Sequence, residues 1–188
     1  MPYQRSPNLL NPQRSVLVVV DMQDALLNAI HGRDSLMASV MLMTRAAALL
    51  EIPVLVTTQN AARLGALSKE VAQIVPDVTA IDKMTFSCAA SEDFRKALLA
   101  TGRDQVVLCG VETHICVAQT AIDLRHAGFQ AHVAADGVSA RTLEKHKLGM
   151  ERIRDNDVFP AASESVVYEW LGEAGTPAFR TVLGWVKG

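Results

Sequence analysis

Short runs of β-branched and aliphatic residues alternate along this chain with longer stretches whose apolar positions recur every three or four residues. Ser15 to Val20 reads SVLVVV, with no further polar residue until Asp21. Such a run suits a central parallel strand covered on both faces. Strands are expected over 15–21, 53–58, 78–82, 105–109, 129–134 and 157–161, and helices over 34–50, 68–74, 91–101, 114–127, 143–155 and 163–171. The helix over 91–101 opens with SEDF at Ser91, an acidic cap, and the helix over 114–127 stops at Gly128, a suitable residue just past a helix end. This alternation predicts an α/β protein: a three-layer α/β/α sandwich around a mainly parallel, Rossmann-like sheet of about six strands. Pro76, Pro160 and Pro177 punctuate joins without marking a linker, so residues 1–188 read as one domain.

Two segments are more apolar than a single buried face requires. The stretch MASVMLMTRAAALL within 34–50 reads as a core helix with an added subunit contact. In the tail, residues 172–188, Phe179, Leu183 and Val186 fall on one face of a short helix, which packs on its own domain or on a neighbour. The net charge of −2 gives no basic footprint for nucleic acid. No apolar run approaches the roughly 20 residues of a membrane span. The first fifteen residues lack the apolar core of a secretory signal, and their two arginines leave a mitochondrial address open. Three cysteines without a framework pattern fit a reducing compartment, so a cytoplasmic setting is expected.

The candidate chemistry lies at strand ends. In LCGVETHICVAQTAIDLRHAGF a strand ends at Cys109, Gly110 opens a turn, and Thr113 is a plausible N-cap. Cys116 then falls in the first helical turn, where the helix dipole favours the thiolate; its alternative is a small buried apolar residue. Asp21 follows the first strand. In open α/β sheets the site forms outside the carboxyl ends of strands where strand order reverses. If the strands before Asp21 and Cys116 are neighbours, carboxylate and thiol meet across that crevice as base and nucleophile. Lys83 follows the segment Val78 to Asp82 and either is a solvated charge or stabilises the ionised Asp21.

VVVDMQ around Asp21, the K-x-x-F-S segment from Lys83 to Ser87, and CGVETHICV from Cys109 to Val117 together resemble the three signatures of the isochorismatase-like cysteine hydrolases. The likeness covers roughly residues 14 to 170, in the right order. It is nearest to the isochorismatase domain-containing branch, through Thr57, Thr58 and Gln59 and through Asp136, Ser139 and Arg141. The resemblance implies the family's hydrolase fold and a triad. Cys116 would be the nucleophile, Asp21 would take and return its proton, and Lys83 would hold Asp21 charged. It also implies a cis peptide between Val111 and Glu112, aiming the N–H groups of Glu112 and Cys116 at the substrate oxygen as an oxyanion hole. The metal motif of nicotinamidases, Asp-x-His after the second strand, has no counterpart in TTQNAARLGALSKEV, so neither metal nor other cofactor is expected.

Further pocket candidates are Gln23, two residues beyond Asp21, Gln59 and Asn60 at the second strand's end, and Phe86 as a wall. His114 reads as structural, and Arg141 as a loop partner of Asp136 in preference to a contact for an anionic substrate. Three functions follow: hydrolysis of a small amide or related acyl compound through a thioester, enol-ether hydrolysis of the isochorismate type using Asp21, or a non-catalytic oligomeric scaffold. A small-molecule substrate and a homo-oligomer are the expected partners; the family resemblance supplies the second.

Overall fold

The computed structural model describes residues 3–187. Its strands are β1 (Ser15–Val20), β2 (Val54–Gln59), β3 (Ile81–Lys83), β4 (Gln105–Val111), β5 (Gln130–Ser139) and β6 (Phe159–Ala161). They form one sheet in the order β3-β2-β1-β4-β5-β6, and every pairing is parallel. The helices are α1 (Asp24–Leu27), α2 (Arg33–Leu49), α3 (Ala61–Leu64), α4 (Lys69–Ala72), α5 (Glu92–Ala100), α6 (Ala118–His126), α7 (Leu143–Arg154), α8 (Ser163–Leu171) and α9 (Pro177–Lys187). A 3₁₀ turn spans Cys88–Ala90 and a π-turn Thr113–Val117.

The uniform apolar character of β1 has a direct cause: all six of its residues are buried, and alternate side chains enter two different cores. Leu17 and Val19 join Val40 and Met43 of α2, Trp170 of α8 and Val182 of α9. Val16, Val18 and Val20 join Phe94 of α5, Leu124 of α6 and Ile153 of α7. Helices therefore cover both faces of the sheet. The Ser91 hydroxyl accepts from the Phe94 N–H and caps α5, as SEDF predicts. In the tail, Val182 rather than Leu183 is the buried anchor, and the Phe179 ring packs edge-on to Tyr168.

Several boundaries differ from the sequence reading. Lys83 closes β3 instead of following it, because β2 pairs with this strand only over Ile81–Lys83. The stretch 68–74 holds only the short helix Lys69–Ala72, and the strand over 157–161 begins at Phe159. Gly110 opens no turn; it continues β4 beside Val20 with φ +110°, and a Cβ there would lie 2.1 Å from the Val20 carbonyl oxygen. Only glycine fits so close a backbone approach.

β1 and β4 are adjacent, and the chain's direction of travel across the sheet reverses between them. The crevice at their carboxyl ends is the topological switch point, where open α/β sheets bind ligands.

Candidate active site

Asp21 leaves β1 with φ +52°, a left-handed conformation that costs a non-glycine residue energy, and its N–H donates to the Thr57 carbonyl at 3.1 Å. The turn aims its fully buried carboxylate into the switch-point crevice. Lys83 Nζ donates to Asp21 Oδ2 at 2.7 Å, and both side chains are inaccessible to solvent. The Thr57 hydroxyl donates to Asp21 Oδ1 at 2.7 Å. Lys83 also donates to Gln59 Oε1 at 2.7 Å, so the ammonium is hydrogen-bonded on two sides. A buried ion pair tolerates its desolvation only with such supporting bonds.

Cys116 lies in the π-turn at the start of α6, 7 % exposed and near the Asp21 carboxylate. Burial, then the Asp21 carboxylate, push its thiol pKa up to about 12, and Lys83 opposes them only in part. The helix dipole therefore does not set the resting state, and the thiol stays protonated beside a charged carboxylate. Thr113 caps nothing; its hydroxyl meets His146 Nδ1 of α7 at 3.0 Å, and Glu112 occupies the cap position without a side-chain bond to the turn. The Val111–Glu112 peptide is cis.

Gln23 is fully buried and occupied by backbone: its Oε1 accepts from the Gln59 N–H, and its amide donates to the carbonyls of Gln59 and Gly65. Gln59 is similarly committed, with Nε2 donating to the Met84 carbonyl. Asn60 has φ +45° and begins α3, half-buried. Phe86 is 55 % exposed and Met84 beside it 70 %, an apolar rim past Lys83.

Arg141 does not pair with Asp136. Its backbone N–H and Nε both donate to Glu112 Oε2, at 3.0 and 3.1 Å, which ties the end of β5 to that of β4. Asp136 instead accepts from Ser39 and from the Ser163 backbone and hydroxyl. Cys88, which carried no role in the sequence, lies against the site with its Sγ 3.8 Å from the Thr57 hydroxyl; burial raises its pKa. Its N–H donates to Thr120 Oγ1, which in turn donates to the Cys116 carbonyl. Only the i, i+2 spacing of Thr57 and Gln59, which puts both on one face of β2, hinted at this second layer. Among the described residues, no three His, Cys, Asp or Glu side chains gather to hold a metal ion.

The isochorismatase domain model matches residues 15–165, and the chain belongs to that family. A secreted isochorismatase effector, Isc1, from Phytophthora sojae is 37% identical, over 95% of this chain and 87% of its own length. Isochorismatase domain-containing protein 2 from Xenopus laevis is 32% identical, over 92% and 83% respectively. Among solved structures, the MAR1 ribonuclease from Caenorhabditis elegans superposes with a TM-score of 0.89 at 26% identity, covering 96% of this chain and 93% of that one. The protein is an isochorismatase-family hydrolase with a six-stranded, all-parallel sheet. Among the described residues no helix is long and apolar enough to cross a membrane.

Proposed function

We propose that this protein hydrolyses a small amide or related acyl compound at a non-peptide C–N bond, with Cys116 as nucleophile. One observation carries the reading: the buried Asp21 carboxylate holds Lys83 at 2.7 Å and lies near enough to the Cys116 thiol to help keep its proton on. As Sγ attacks the carbonyl carbon, its proton passes to Asp21. A thiol held protonated until then needs such a base at the moment of attack. The backbone N–H groups of Glu112 and Cys116 receive the developing oxyanion, and Lys83 keeps Asp21 charged between steps. The C–N bond breaks as Asp21 returns the proton to the amine. Water then attacks the thioester, Asp21 takes its proton, and the departing sulfur is reprotonated.

Gln23 and Gln59 position the pair in this scheme, while Asn60, Phe86 and the neighbouring Met84 border the substrate. No cofactor is required. The apolar groove between α2 and α9, lined by Met37, Met41, Leu42 and Trp185, is the surface on which a homo-oligomer would form. A cytoplasmic setting suits three unpaired thiols.

A second reading is favoured by the name of the Phytophthora relative: enol-ether hydrolysis in which Asp21 protonates the substrate and Cys116 is dispensable. Ammonia release from a panel of small primary amides, run beside isochorismate hydrolysis, separates the two. The thioester reading predicts that Cys116→Ala and Asp21→Asn each lower amide turnover by about 10⁴-fold or more, as for groups acting as a unit. Isochorismate hydrolysis that survives Cys116→Ala and fails in Asp21→Asn would replace it with the second reading. A well-folded protein inactive in both assays would favour the scaffold.

A further inference from the structure

Thr57 grips Asp21 twice. Its carbonyl accepts the Asp21 N–H, which holds the left-handed turn, and its hydroxyl donates to Oδ1. Lys83 occupies the other oxygen, Oδ2. The groups bonded to the carboxylate are thus the Thr57 hydroxyl from β2 and the Lys83 ammonium from β3, with Cys88 behind Thr57 and the Cys116 thiol of the π-turn nearby. A threonine hydroxyl has one proton to give, and here it goes to the carboxylate. The Cys88 thiol at 3.8 Å is then the donor to the Thr57 oxygen, so the hydroxyl's direction is fixed from both sides. Thr57 is fully buried, its neighbours on the strand pair with β3, and its branched side chain has few rotamers. A residue serving only to fill the core has no need of a hydroxyl here, because valine has the same shape.

We infer that Thr57 is a positioning residue: its hydroxyl fixes the rotamer of Asp21 and supports the charged carboxylate, leaving the remaining lone pairs for the Cys116 proton. The inference rests on Asp21 being the base for Cys116. Without the hydroxyl, the carboxylate loses one of its two polar anchors and the charged form loses a donor.

The test is the rate of Cys116 alkylation by iodoacetamide, followed peptide by peptide from about pH 3 to about pH 9, a range that includes ordinary carboxyl titrations and reaches those of thiols. With Asp21 as base, the wild-type rate levels off above an acid limb, and Asp21→Asn replaces that shape with a steady rise towards alkaline pH. Thr57→Val moves the acid limb up by about one to two pH units, the size expected for a bond to a charged group. Thr57→Ser restores it. Thr57→Ala, smaller and free of clashes, shows the same upward move and covers the case in which the valine variant does not fold. A Thr57→Val or Thr57→Ala profile superimposed on wild type, with Asp21→Asn altered, overturns the role of Thr57 and leaves the base intact. An Asp21→Asn profile identical to wild type removes Asp21 as the base, and the inference falls with it.

Discussion

Cys116 is under opposing influences: burial and the Asp21 carboxylate hold its proton on, and Lys83 favours the thiolate. Position in a first helical turn suggests the thiolate, but the fold brings the Asp21 carboxylate alongside, which opposes it. Asp21 was legible as a polar residue ending an apolar strand, and Lys83 and Cys116 through the resemblance of their motifs. Thr57 was legible only as part of a motif, without its role, and Cys88 not at all, because a buried threonine or cysteine in a sequence looks like core. The side-chain commitments of Gln23 were equally hidden, since they depend on the backbone carbonyls of Gln59 and Gly65, far along the chain. At this scale the ion pair makes a sharp prediction. Lys83→Ala leaves a buried carboxylate uncompensated and lowers unfolding free energy by about 3–5 kcal/mol in urea titration. A loss below about 1 kcal/mol, the range of exposed pairs, would mean that the pair is solvated.

At the scale of elements, the strands and long helices were legible because apolar runs and helical spacing are local properties. The π-turn was not, because its shape depends on α7. Gly149 of α7 packs so closely that a Cβ would lie 2.9 Å from both the Cα and the N of His114. His146, on the same helix, holds Thr113. Gly149→Ala therefore pushes on the backbone that carries Cys116. The expected outcome is a loss of about 1–3 kcal/mol in stability, as for other overpacking changes. A fall in Cys116 alkylation rate beyond what unfolding explains should accompany it, and an unchanged rate in folded protein would separate α7 from the site. The pairing assigned to Arg141 failed for a related reason. Asp136 is the nearer partner in sequence, but the parallel register sets Val111 beside Ser139, which brings Glu112 to Arg141.

For the molecule as a whole, the alternating pattern specified the parallel sheet and its two helical layers, and burial of β1 on both faces explains why. The sheet order came from pairing, which no local pattern contains. Burial has a consequence for acid stability. His132 of β5 is 3 % exposed, packs on Phe159 with ring centroids 5.1 Å apart, and burial lowers its pKa to about 4. The unfolded chain binds its proton near the ordinary pKa of about 6.5, so stability is intact above that value and declines as pH falls towards the folded pKa. The total loss approaches about 3 kcal/mol, of which about 2 kcal/mol appears by about pH 5. His132→Leu should lessen the drop in denaturant-measured stability between about pH 7 and about pH 5. An equal drop in both proteins would assign it to other groups. The proposed hydrolysis passes through a covalent bond to Cys116. Intact-protein mass spectrometry of an acid-quenched mixture of the protein with a primary amide that it turns over looks for that bond, and digestion of the same sample places it. The expected result is an acyl adduct on the Cys116 peptide, absent from Cys116→Ala, which no longer releases ammonia. Turnover by Cys116→Ala at the wild-type rate, with no adduct on the wild-type protein, would contradict it.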